Sequence, residues 1–242
     1  DSTESDANIS ITQMHYLVSF SPDTINAVQV FVIGNSGDQT YVGQNGQTFS
    51  FALPPEAANV AFQNDPGGGR FVETENGYVD TIPIRPGRES SSVVALYDVS
   101  FDDDEVTVDI PLPLQTEGLN ILLSNQGATL SSEQVEFDGN QDIQGNEFAV
   151  YNGSGLAKGE MLTLKFSDLD DLEFGMPAAM PGNAAVAPAV DQNLLMWIIV
   201  GAMIVVAAVV GVGYPMLRAR AVQPEMYDED PAVHQEKLAL ML

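Results

Sequence analysis

The stretch ISITQMHYLVSF, Ile9–Phe20, decides the fold class. Its large apolar residues Met14, Tyr16, Val18 and Phe20 recur at every second position, and Gln13, His15 and Leu17 share the other face. A period of two is the period of a strand, because successive side chains on an extended backbone point to opposite faces. The same texture recurs on either side of it. Short alternating or β-branched runs fall at Ala27–Ile33, Thr48–Leu53, Val60–Gln63, Val93–Val99, Val106–Ile110, Leu119–Leu123, Glu133–Phe137, Glu147–Tyr151 and Met161–Phe166. Turn chemistry separates them: Gly34-Asn35-Ser36-Gly37, Asn45-Gly46, Pro66-Gly67-Gly68-Gly69, Asn76-Gly77, Pro86-Gly87, Asp138-Gly139 and Asn152-Gly153. No helical period interrupts residues 8–168. The expected fold is mainly β, with one or two antiparallel β-sandwich modules.

Two modules are favoured by a weak internal likeness. Ile82–Phe101 and Val150–Leu169 each carry a glycine turn, a polar bridge and an alternating strand ending beside an acidic residue. Each is expected to close a module as its last edge strand. The acidic run Asp102-Asp103-Asp104-Glu105 marks the boundary, giving modules at 1–101 and 102–172.

The texture then changes. Residues 173–193 form a linker whose centre, GMPAAMPGNAAVAPAV (Gly175–Val190), is uncharged and too poor in large apolar residues to make a core, so it reads as a semi-extended stalk. Leu194–Leu217, LLMWIIVGAMIVVAAVVGVGYPML, follows with no ionisable side chain in 24 residues. As a helix it reaches ~36 Å, enough to cross a hydrocarbon core of ~30 Å. Trp197 and Tyr214 sit near its ends, where amphipathic rings favour the headgroup level. Ala207 and Gly211 make a small-xxx-small pair suited to helix packing. Asp191 precedes the span while Arg218 and Arg220 follow it, which puts the tail 218–242 in the cytoplasm and the first 193 residues outside the cytoplasmic membrane. The chain starts at Asp1, as expected after removal of an export signal or for a start inside a longer protein. The tail ends on the apolar run of PAVHQEKLALML, and continuation of the chain is expected.

Charge narrows the function classes. The 242 residues hold 34 acidic and 8 basic side chains, and residues 1–193 hold 29 acidic and 5 basic ones. A nucleic-acid partner is not expected, since clustered cations must replace the counterions of the phosphate backbone. No cysteine is present, so disulfides, thiolate-bound zinc and thiol nucleophiles are excluded. The only histidines, His15 and His234, are expected on opposite sides of the membrane, so they form neither a metal pair nor a relay. His15 reads as a satisfied or solvent-facing strand residue. No P-loop, Rossmann glycine pattern or nucleophile elbow is found, and no enzyme is expected. Asn8-Ile9-Ser10 and Asn152-Gly153-Ser154 match the glycosylation acceptor pattern.

Calcium is the one cofactor with a candidate site. Asp138, Asn140 and Asp142 alternate oxygen donors in DGNQD, with Glu147 nearby. The EF-hand pattern fails at Ile143 and Ala149, so the candidate is a loop site of another kind. The aromatics Tyr16, Phe31, Tyr41, Phe49, Phe51, Phe62, Phe71 and Tyr78 concentrate in the first module. Core packing is their default use, and a patch for a partner or glycan is the alternative.

The segments NSGDQTYVG (Asn35–Gly43), FALPPEAANVAFQ (Phe51–Gln63) and YVDTIPIRPG (Tyr78–Gly87), followed by a C-terminal span and helical tail, resemble exported bacterial membrane proteins described as carboxypeptidase-regulatory-like. The resemblance implies transthyretin-like β-sandwich modules without peptidase activity. It also implies, through members associated with c-type cytochrome maturation or respiratory assemblies, an accessory role. The expectation is a non-enzymatic, single-span membrane protein that presents its modules for partner binding or scaffolding. Its partners would be membrane lipid and proteins in or at the membrane. Two alternatives follow: an accessory subunit of a respiratory, photosynthetic or cytochrome-assembly complex, and a calcium-dependent adhesive or carbohydrate-binding surface protein.

Overall fold

The computed structural model of the chain describes residues 1–174 apart from Asn64, Pro66, Gly67 and Gln144. The stalk from residue 175, the span 194–217 with Ala207 and Gly211, and the tail 218–242 lie outside the described residues. Among the described residues no helix is long and apolar enough to cross a membrane.

Among the described residues fifteen strands follow one another. They are β1 (Ser2–Thr3), β2 (Ile9–Ser21), β3 (Thr24–Asn35), β4 (Thr40–Tyr41), β5 (Phe49–Phe51), β6 (Ala58–Phe62), β7 (Phe71–Thr74) and β8 (Gly77–Asp80). Then come β9 (Gly87–Ser100), β10 (Val106–Pro111), β11 (Thr116–Ser124), β12 (Thr129–Ser131), β13 (Glu136–Ile143), β14 (Asn146–Leu156) and β15 (Met161–Ser167). The protein is mainly β, as its period of two requires.

The frame is a seven-stranded sheet in the order β13-β14-β11-β2-β3-β9-β6. It grows from the hairpin β2–β3, whose register runs from Ile9 opposite Asn35 to Ser21 opposite Thr24. The two residues left for the turn are Pro22 and Asp23, and Asp23 takes φ 56°, a left-handed conformation that an aspartate tolerates. Two three-stranded sheets, β5-β8-β7 and β10-β15-β12, and the short pair β1-β4 complete the set.

One face of the large sheet shares a single apolar core with the smaller sheets. Met14, Tyr16, Phe31 and Ile121 come from the large sheet, Phe49 and Phe51 from β5, and Ile110, Leu164 and Phe166 from β10 and β15. Phe31 meets Phe49 at 5.3 Å and Phe20 meets Phe166 at 6.1 Å between ring centres, both edge to face, the arrangement ring quadrupoles favour. Each such side chain contributes about 1.5–3 kcal/mol by leaving water. Inside this core the Tyr97 hydroxyl lies 3.3 Å from that of Tyr16 and donates to Gln29 Oε1 at 3.1 Å.

Several expectations are corrected by the pairing. The seam expected between modules 1–101 and 102–172 is bridged, because β11 pairs in parallel with β2, Leu122 lying opposite Leu17. The described residues accordingly belong to one compact unit. The pairing is therefore not purely antiparallel: β2–β11 in the large sheet and the separate pair β1–β4 are parallel. Nor do the two similar segments supply edge strands, since β9 lies between β3 and β6 and β15 lies between β10 and β12. Two expected turns are strand interior. Asn152-Gly153 lies within β14, where a Cβ on Gly153 would stand 2.5 Å from the Gln134 carbonyl oxygen, so close backbone approach explains that glycine. Asp138-Gly139 forms a bulge in β13 between Phe137 and Gly139.

Candidate binding cleft

The aromatics of the first half resolve into two roles. Tyr16, Phe31, Phe49, Phe51 and Tyr41 are buried in the core. Phe62, Phe71 and Tyr78 are only partly buried and pack against it from β6, β7 and β8, of which β6 and β7 are edge strands. Phe62 and Phe71 stack at 4.4 Å, and the Tyr78 ring meets Phe62 at 4.9 Å and Phe51 at 5.9 Å. The guanidinium of Arg70 lies 4.7 Å from the centre of the Phe71 ring, a cation–π contact that covers one side of this group. Val72, the residue after Phe71 in β7, and Ile82, two residues past the end of β8, are exposed apolar side chains.

A cleft of about 270 Å³ opens here. Its apolar wall is Leu53, Pro54, Ala57 and Val60, and its polar rim is Glu73, Thr74 and Asn76, with Tyr78 between the two. The hairpin β7–β8 sets this arrangement. Glu73 is the cross-strand partner of Tyr78 and Thr74 that of Gly77, so the carboxylate and the ring stand side by side on one face. Burial raises the Tyr78 hydroxyl pKa above its ordinary value, and the charge of Glu73 adds to that. The rim thus places an acidic group and an aromatic ring around a small apolar recess. The aromatic pattern of the sequence singles out Phe62, Phe71 and Tyr78 but not Glu73. The pairing of Glu73 with Tyr78 across the Asn76-Gly77 turn was the available signal.

The opposite face of the large sheet carries His15, and Asp138 reaches it through Asn152. Its middle is an apolar row that follows the cross-strand register: Val150, Leu122, Leu17, Val28, Leu96 and Ala61. These residues stand outside the core cluster. The neighbouring row runs Asn152, Asn120, His15, Val30 and Val94. His15 is buried, 8% exposed, and burial lowers its pKa, the neighbouring Asn120 side chain offsetting only part of that. Asn120 Nδ2 donates to Asn152 Oδ1 and Asn152 Nδ2 donates to Asp138 Oδ2, each at 2.8 Å. A polar ladder therefore crosses three strands from Asn120 to Asp138, beside His15.

Asp138, Asn140 and Asp142 are not gathered around one point. They lie along β13, where alternate residues are ~7 Å apart, and each is engaged separately. Asp138 accepts from Asn152, Asn140 Nδ2 donates to Glu147 Oε1 at 3.0 Å, and Asp142 Oδ1 accepts from the Gly145 amide at 3.0 Å. Calcium oxygens must converge within 2.3–2.6 Å of one ion, which an extended strand does not allow without rearrangement.

No family model matches the chain, and no curated protein matches it. Among solved structures, an M1 zinc metallopeptidase from Deinococcus radiodurans aligns over 78% of this chain and 52% of its own, at 10% identity and a TM-score of 0.42. The chain thus spans about half the length of that peptidase chain. A yeast delta-COP-I mu-homology domain, solved with a Dsl1 WxWxV peptide, aligns over 71% of this chain and 77% of its own, at 9% identity and a TM-score of 0.25. At these scores neither likeness bears on fold or activity.

Proposed function

We propose that this is a non-enzymatic, single-span membrane protein that presents a β-sandwich outside the cytoplasmic membrane for binding or scaffolding a protein partner. The observation that carries the reading is the surface at β6, β7 and β8. The half-buried Tyr78 ring lines a cleft, and Val72 and Ile82, in and just after the same pair of strands, keep 47% and 43% of their surface exposed. Aromatic and apolar groups that a fold leaves partly uncovered, beside a recess with a polar rim, are the composition of a protein-binding surface. The membrane part rests on the sequence: an uncharged stretch of 24 residues, with Arg218 and Arg220 just beyond it. An uncharged stalk carries the domain clear of the bilayer.

Gentle detergent extraction followed by native mass spectrometry tests this. The expected result is a complex of defined stoichiometry whose partner is lost when Val72→Asp and Ile82→Asp are combined. Extraction as a lone protomer, under conditions that keep other membrane complexes intact, would overturn the reading.

A further inference from the structure

The chemistry of the cleft says what kind of group it receives. Glu73 and Tyr78 are direct cross-strand partners, so a carboxylate stands beside an aromatic ring. Among the residues lining the cleft none is basic, and among the described residues no cation pairs with Glu73. Arg70, just before β7, is committed to Asp80 and to the Phe71 ring. The recess therefore combines a negative charge, a ring with a negative π face, and the apolar wall of Leu53, Pro54 and Val60. A carboxylate with an aromatic face attracts a cation, and an apolar wall accepts the methylene stem that a lysine or arginine carries. The wider field acts in the same direction, with 29 acidic against 5 basic side chains in residues 1–193, which draws cationic groups towards the domain.

We propose that the cleft takes the cationic side chain of a lysine or arginine borne on a partner protein, with Glu73 pairing the charge, Tyr78 stacking on it, and Leu53, Pro54 and Val60 holding its stem. This rests on the partner-binding reading and names the chemistry of the partner. Asn76 completes the rim as a hydrogen-bonding group for the partner's backbone, while the Thr74 hydroxyl is held within the turn by Gly77 and Asn76. A single such side chain binds weakly alone, and the partner's remaining contacts supply the rest of the affinity.

The test uses the full chain in detergent micelles, with its tyrosine rings isotopically labelled and the Tyr78 signal assigned by Tyr78→Phe. The probe is N-acetyl-arginine amide, with N-acetyl-citrulline amide as its uncharged isostere and methyl glucoside as a neutral sugar. Arginine amide is expected to shift the Tyr78 resonance saturably, and citrulline amide to bind about three- to tenfold more weakly. Glu73→Gln, at an exposed position, is expected to remove that difference while the other tyrosine signals stay in place. Equal binding of arginine and citrulline, an unchanged preference in Glu73→Gln, or no saturable shift would overturn the proposal. A preference for methyl glucoside would also overturn it, by assigning the cleft to sugars. The two readings fail separately: a partner that still co-extracts with Glu73→Gln in unchanged amount sinks the cation site alone, whereas a wild-type protein that extracts alone sinks partner binding itself.

Discussion

Arg70 and Asp80 form a two-pronged ion pair, Nε to Oδ1 at 3.0 Å and Nη2 to Oδ2 at 2.6 Å, with the Asp80 residue 1% exposed. Around it the Arg70 Nη2 also donates to the Ser92 carbonyl at 2.7 Å, tying the end of β8 to β9 of the large sheet. Asp80 Oδ1 accepts from the Ile82 amide, so the carboxylate is satisfied on two sides. Removing one partner of such a pair leaves a buried charge without compensation. Arg70→Leu is expected to lower the unfolding free energy by about 3–5 kcal/mol, read from urea denaturation. Arg70→Lys should recover only part of that, because an ammonium lacks the fork that matches a carboxylate. A wild-type midpoint for Arg70→Leu would show the pair to be dispensable.

Gly77 holds φ 120°, and a Cβ there would stand 2.3 Å from the Phe51 carbonyl oxygen. The turn between β7 and β8 needs both the conformation and the space. Gly77→Ala is expected to cost more than about 1 kcal/mol, since strain adds to the loss of a compatible backbone. It should also broaden or displace the Tyr78 ring signal, as the hairpin that sets Tyr78 beside Glu73 shifts. Unaltered melting and an unaltered Tyr78 signal would contradict this.

His15 gives the fold a pH dependence of known sign. Burial holds its pKa below the ordinary value in the folded protein, while the unfolded chain titrates near ~6.5. The stabilisation from a neutral His15 is thus present above that value. It is lost as pH falls below it, through the folded pKa, because the unfolded state takes up the proton first. Denaturation midpoints of the wild type and His15→Gln, compared between about pH 7.5 and pH 5, should converge as the pH falls. Parallel profiles would mean that His15 is not the group responsible.

Calcium should leave the fold unmoved. Asp138, Asn140 and Asp142 are spent on Asn152, Glu147 and Gly145 along an extended strand. Binding would have to break these bonds and bend β13. Thermal melting in chelator and in ~1 mM calcium should coincide, whereas a ligand of the folded state at many times its Kd would raise the midpoint. A clear calcium-dependent rise would show that β13 rearranges to bind the ion.

Local pattern made much of the β architecture legible. Ile9–Phe20 and Met161–Phe166 reappear as β2 and β15 with nearly the bounds that alternation predicts, because burial on one face imposes a period of two. The short strands β1, β4, β7, β8 and β12 were harder to see, since two to four residues are too few to display a period. DGNQD misled because its Asp, Gly and Asn are turn formers, yet pairing with β14 holds them extended, with the bulge absorbing the irregularity. The likeness between Ile82–Phe101 and Val150–Leu169 describes hairpin chemistry and carries no information on which strand lies beside which.

What the sequence by itself determined is therefore the β class, the alternation of faces, the acidity and the uncharged stretch Leu194–Leu217, all properties of residues within a few positions of one another. Tertiary structure alone decided that β2 and β11 pair in parallel, that β9 is interior, and that Tyr78 and Glu73 stand beside the apolar wall of Leu53, Pro54 and Val60. The physical reason is range. A turn and an alternating face are set by local sterics and burial, whereas partners far apart in the chain are chosen by the shared core they jointly remove from water, to which every strand contributes at once.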